Sequence, residues 1–196
     1  SILTYILFLP LAGAALLWLI PSEKEGWVRT AALLVMIADL ILGYFLWAGF
    51  DGDYSGFQFM TSVDWFTFVG GIPVKYAIGC DGISLLLIEL TLLLGPVVVL
   101  SSWTQVKDRV KSYHIFMLML QTGMLGAFVA MDLFLFYVFW ELMLIPMYFL
   151  IGVWGGPRRV YAAIKFFLFT MFGSVLMLVA ILFLGLHSGA RTFDIV

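Results

Sequence analysis

The run from Asp132 to Trp154, DLFLFYVFWELMLIPMYFLIGVW, constrains this chain more than any other stretch. It is apolar over the roughly 20 residues that a bilayer crossing needs, yet it carries Glu141 near its centre and Pro146 shortly after. A carboxylate at that depth costs at least about 2.5 kcal/mol on insertion scales, and it faces a bundle interior or a water-filled path rather than lipid. Helical spacing puts Tyr137, Leu144, Ile145 and Tyr148 on the side of Glu141, so two phenols flank one acid. Pro146 has no N–H for the Leu142 carbonyl, which frees a backbone acceptor one residue from the acid. Glu141 is the leading functional candidate. The plainer reading is a polar packing residue on a kinked helix.

The rest of the chain has the same character. Apolar residues make up 64% of 196 and charged residues 11%, against roughly 25% charged in a soluble domain. The chain is read as a single polytopic membrane domain over residues 1–196, all-α, with six spans at about 2–20, 27–50, 83–103, 113–131, 133–154 and 160–186. A single residue, Asp132, links the fourth and fifth spans, which implies a tight turn at the surface. Lys24, Arg29, Lys107, Arg109, Lys111, Arg158 and Arg159 fall in alternate loops, and only Lys75 and Arg191 oppose them. This positive-inside bias puts the N-terminus outside.

The outer loop, 51–81, has apolar alternation in FQFM and VKYAIG separated by GGIP. It fits either a small outer-side β-hairpin or an irregular interfacial loop. A net charge of −2 without a basic patch argues against nucleic-acid binding. One cysteine, Cys80, excludes an internal disulfide and a cysteine-held iron–sulfur cluster. His114 and His187 fall at helix ends on opposite membrane sides, where they cannot share a haem; both read as interfacial.

Four ionisable residues lie inside the spans: Asp39, Glu89, Glu141 and Lys165. Three acids and one base do not balance, so each must be neutralised, hydrated or paired, in part with groups outside these residues. Asp39 has small neighbours, Val35 and Gly43, which favours a satisfied contact between helices. Glu89 has no polar company on its own face. Lys165 is close enough to the interface to snorkel, and otherwise is a station linked to Glu141 through water. A buried Glu141 whose cationic partner approaches and retreats would bind and release a proton.

FYVFWELMLIPMYFLIGVWGG followed by RRVYAAIKFFLFT, with DGISLLLIELTLLLGPVVVLSSW before them, closely resembles the antiporter-like subunits of respiratory NADH:quinone oxidoreductase, complex I. The resemblance implies a proton-pumping module coupled to quinone chemistry elsewhere, with Glu141 and Lys165 as relay residues and Tyr137, Tyr148, Pro146, Asp39 and Glu89 as secondary candidates. It implies no cofactor or metal in this chain, with flavin and iron–sulfur clusters in partner subunits. The partners would be other membrane subunits, including neighbouring antiporter-like ones met through the outer hairpin, in a bacterial inner membrane. Family members contain inverted repeats; only the beginning of the first is present here, so the chain is expected to be an N-terminal fragment. Two other classes remain open, a subunit of a multisubunit cation/proton antiporter and a structural membrane anchor.

Overall fold

In the computed structural model, which describes residues 1–68, 71–187 and 192–195, the apolar runs form six helices long and apolar enough to cross a membrane. They are α1 (Ile2–Leu19), α2 (Glu25–Ala48), α3 (Gly82–Ser102), α4 (Val110–Val129), α5 (Leu133–Trp154) and α6 (Arg159–His187), with strands β1 (Gln58–Phe68) and β2 (Ile72–Cys80) between α2 and α3. Local chemistry sets the ends. Ile20 is extended because Pro21 follows it. Asp81 opens α3 with a capping box, accepting from the Ser84 backbone while its own N–H donates to the Ser84 hydroxyl.

The loop between α2 and α3 is a hairpin, not an irregular segment. Its register is antiparallel and unbroken from Phe66 to Phe68 against Val74 to Ile72, with bulges at Gln58/Thr61 and Asp64/Phe66. The pairing differs from the FQFM alternation, because Phe59 sits in a left-handed conformation (φ 54°) within the first bulge. Gly71 takes φ 80° at the turn, a conformation that only glycine adopts without strain. Ile72, Val74, Ile78 and Cys80 of β2 are fully buried on the bundle, whereas β1 turns Val63, Trp65 and Phe66 outward.

The α4–α5 connection corrects the sequence expectation. Asp132 is not a surface turn but fully buried beneath the hairpin. Met131 donates its N–H to the Ala77 carbonyl at 2.8 Å, and beyond α6 the chain returns so that Leu133 donates to Phe193 and Ile195 to Met131. The turn thus runs as a short strand between β2 and residues 193–195. Asp132 caps α5 by accepting from the Phe134 and Leu135 N–H groups at 2.9 Å, and it also accepts from the Lys75 N–H at 3.3 Å. Burial pushes its carboxyl above the usual carboxylate range, against the pull of those N–H donors.

At the opposite end lie the basic residues. Lys111 donates to the Trp18 carbonyl in the last turn of α1 at 2.7 Å, and Arg29 donates to the Val106 carbonyl in the α3–α4 loop at 3.0 Å. Arg191, which entered the charge comparison, lies outside the described residues. His114 corrects a second expectation: α4 begins early enough to draw it into the bundle, where it is fully buried rather than interfacial. Its Nδ1 meets the Val110 carbonyl at 2.8 Å, and its Nε2 is buried with no partner. His187 is exposed and stacks on Phe183.

The apolar interior has two large parts within the bundle, beside a smaller cluster of Ile72, Val74, Ile181 and Phe193. One, towards the hairpin, includes Leu7, Leu46, Ile88, Leu125 and Phe139. The other, towards the basic end, includes Ala14, Val28, Met36, Val99 and Leu118. Between them each of α1 to α4 carries something other than a large aliphatic: Pro10 in α1, Asp39 in α2, Gly95 and Pro96 in α3, and Gln121 in α4, all buried.

Candidate functional site

That interruption is a polar belt at one depth. Asp39 precedes the hairpin-side end of α2 at Ala48 by about as many residues as Glu89 follows Asp81, Gln121 precedes Ala130 and Glu141 follows Asp132. At about 1.5 Å per residue all four lie roughly 12–14 Å below that end, near the middle of a core about 30 Å thick.

In its first half, Gln121 Nε2 donates to Asp39 Oδ2 at 2.9 Å. Asp39 is fully buried, and its Oδ1 has no partner. Glu89 is half-buried and lies against Gly43, where an added Cβ would come within 3.0 Å of its Oε2; its Oε1 is also buried and unpartnered. The expected Asp39 contact therefore exists but satisfies one oxygen of two. Gln121, which the sequence did not single out, supplies it. A buried glutamine amide in a span is itself a signal of interhelical bonding.

The second half is Glu141 on α5. It is half-buried, with Oε1 enclosed and unpartnered. The Glu141 carboxyl and the Ser174 hydroxyl are the polar groups that meet the Tyr137 phenol, so Ser174 of α6 belongs to this group rather than to Lys165. Pro146 is buried inside α5, one turn past the acid. Tyr148 lies among rings instead, with Phe149 at 5.4 Å and Phe167 at 5.6 Å between centroids.

Lys165 stands apart. It is exposed, its Nζ is 5.9 Å from the Tyr161 ring centroid, and it lines a cleft with Arg158 and Arg159 where α5 ends and α6 begins. Packing of Tyr148 on Phe167 and of Gly152 on Ala163 sets it level with the region near Leu150. It is thus about 13 Å along the axis from Glu141, and no direct ion pair joins them. Among the described residues, no three His, Cys, Asp or Glu side chains converge as metal ligands would.

A six-helix membrane unit with a capping hairpin and acids at mid-depth is the class that fold and site define, an antiporter-like membrane module. Comparison with known proteins agrees. Residues 69–130 match the family described as NADH-ubiquinone oxidoreductase chain 4, amino terminus, and residues 130–196 match NADH:quinone oxidoreductase/Mrp antiporter, TM. The chain is 43% identical to NADH-quinone oxidoreductase subunit M of Rhodobacter capsulatus, over 83% of this chain and 31% of that protein. It belongs to the family of antiporter-like NADH:quinone oxidoreductase membrane subunits, among those named subunit M or chain 4, and spans about a third of the length of the curated relatives it matches.

Among solved structures, a chain of the membrane-bound sulfane sulfur reductase, an archaeal respiratory membrane complex, superposes with a TM-score of 0.76 at 25% identity, over 98% of this chain and 29% of that one. A chain of the Mrp complex from Dietzia sp. DQ12-45-1b has the same fold, with a TM-score of 0.76 at 23% identity over 96% of this chain and 20% of that one.

Proposed function

We propose that this chain acts within a proton-translocating membrane subunit of NADH:quinone oxidoreductase. The observation that carries the reading is Glu141, a half-buried acid on a helix that contains Pro146, at the depth where the apolar core divides. Glu141 takes up and releases a proton as the charge facing it changes, because an opposite charge favours the carboxylate and desolvation opposes it. Tyr137 and Ser174 are the hydroxyl groups that hand the proton on. The cation that sets Glu141 comes from outside the described helices. Lys165 is the next station towards the basic end, reached through water because about 13 Å is too far for direct transfer.

In this reading the hairpin end faces outside, the basic loops face the cytoplasm of a bacterial cell, and the subunit lies in its inner membrane. Neighbouring membrane subunits pack on the exposed helix faces, and antiporter-like neighbours meet the outward side of β1. Flavin and iron–sulfur clusters reside in other subunits and supply the driving electron transfer, ending in quinone reduction.

The test uses membranes containing the full-length subunit in its assembled complex. Proton movement that starts with NADH and stops when quinone reduction is blocked supports the assignment. Proton movement driven by a sodium or potassium gradient alone, without electron transfer, would place the chain in a cation/proton antiporter instead.

A further inference from the structure

We infer that Asp39 is a second proton-binding group, built between α2, α3 and α4 and positioned by Gln121. Gln121 fixes one oxygen by donating from Nε2 at 2.9 Å, so Oδ2 is an acceptor. Oδ1 is enclosed without a partner, and a bare oxygen in that position is the one on which an O–H bond forms when a proton arrives.

No cation competes for the role. On α1 the described span holds no charged side chain; on α3 the charged group is Glu89; on α4 it is Lys111, at the basic end and bonded to the Trp18 carbonyl. Arg29 of α2 and His114 of α4 lie towards that same end, and Arg29 is paired with Glu25 at 3.3 Å. Glu89, set against Gly43 one turn from Asp39, adds a second acid on the hairpin side. A buried carboxyl with one amide donor and no cation is stable only with a proton or a water supply.

The surroundings of Gln121 leave open space on its α3 side. A half-open pocket of about 210 Å³ lies beside Gln121, with Thr91 and Gly95 among mostly apolar side chains such as Leu94, Leu120 and Met124. A Cβ on Gly95 would fall 2.7 Å from Gln121 Oε1, so only a glycine lets the amide lie against α3. Pro96 offers no N–H to the Leu92 carbonyl, which leaves an acceptor on α3 near this depth. These features lie in a part of the bundle that Glu141 does not occupy.

Infrared spectroscopy of the assembled full-length complex tests the inference. The wild-type minus Asp39→Asn difference should contain a carboxylic-acid carbonyl band at neutral pH. The band should persist in Glu141→Gln and move in Gln121→Leu, where the amide donor is gone. In heavy water it should exchange faster during NADH-driven turnover than at rest. That last readout alone rests on the proposed function; loss of pumping in Glu141→Gln with the Asp39 band intact separates the two. Absence of an Asp39-dependent band overturns the inference, as does a band that does not exchange in a complex that is pumping protons. Should Asp39→Asn fail to assemble, an unmoved carboxylic-acid region in Gln121→Leu overturns it equally.

Discussion

Lys75 and Asp194 meet at 2.7 Å, Nζ to Oδ2, and so join the second hairpin strand to the chain that follows α6. Both side chains are only about a quarter exposed, 28% and 27%. Partly exposed pairs of this kind contribute little, because solvent screens them. Lys75→Met should therefore lower thermal stability in detergent only slightly. Asp132→Ala removes the acceptor of three N–H groups beneath the same pair, and should cost about 2 kcal/mol or more. Equal losses from the two variants would contradict this ranking of the ion pair and the Asp132 cap.

Acid should weaken the start of α3. The Ser84 hydroxyl and N–H hold the Asp81 carboxyl below its usual 3.8. A lowered acid contributes stability above its unfolded value and loses it as pH falls through the folded value. The cap, worth about 1 kcal/mol, should persist at neutral pH and be lost progressively as pH falls below about 4. Asp81→Asn should flatten that acid limb in a pH series of melting temperatures.

Cys80 should resist alkylation. It is fully buried, and burial pushes its thiol from 9.0 up to about 11, while the thiolate is the reactive form. Maleimide labelling of native protein at pH 7 should be slow and become rapid on unfolding. Rapid labelling of the folded protein would show that β2 does not stay docked.

Two glycines of α2 should respond in opposite directions to alanine. Gly26 has open space where a Cβ would be, whereas at Gly43 the Cβ meets Leu92 and Glu89. Gly26→Ala should be neutral or stabilising by up to about 1 kcal/mol. Gly43→Ala should destabilise by about 1–3 kcal/mol through overpacking. Parallel melting curves check both.

The helices were legible because six apolar runs, punctuated by Pro21, Asp81 and Asp132, announce themselves in hydropathy alone. Glu141 was legible for the same reason, as an acid where acids are expensive. What sequence could not supply were relationships across helices. Gln121 is the partner of Asp39 only because α2 and α4 present those faces to each other. The burial of Asp132 needs a hairpin folded over it, with the segment after α6 returning alongside. His114 was misplaced because α4 begins at Val110, a boundary set by tertiary contacts rather than by polarity. Lys165 kept its two readings in sequence, and the bundle leaves it on an exposed face, away from Glu141.

The most direct measurement is the number of protons translocated per quinone reduced by the full-length complex carrying Glu141→Gln, with assembly verified on a native gel. Glutamine keeps the size of the side chain and removes its titration, so packing is preserved. Collapse of turnover and pumping together in an assembled complex is the predicted result. Pumping and turnover near wild-type values would contradict the relay and leave Glu141 as a packing residue.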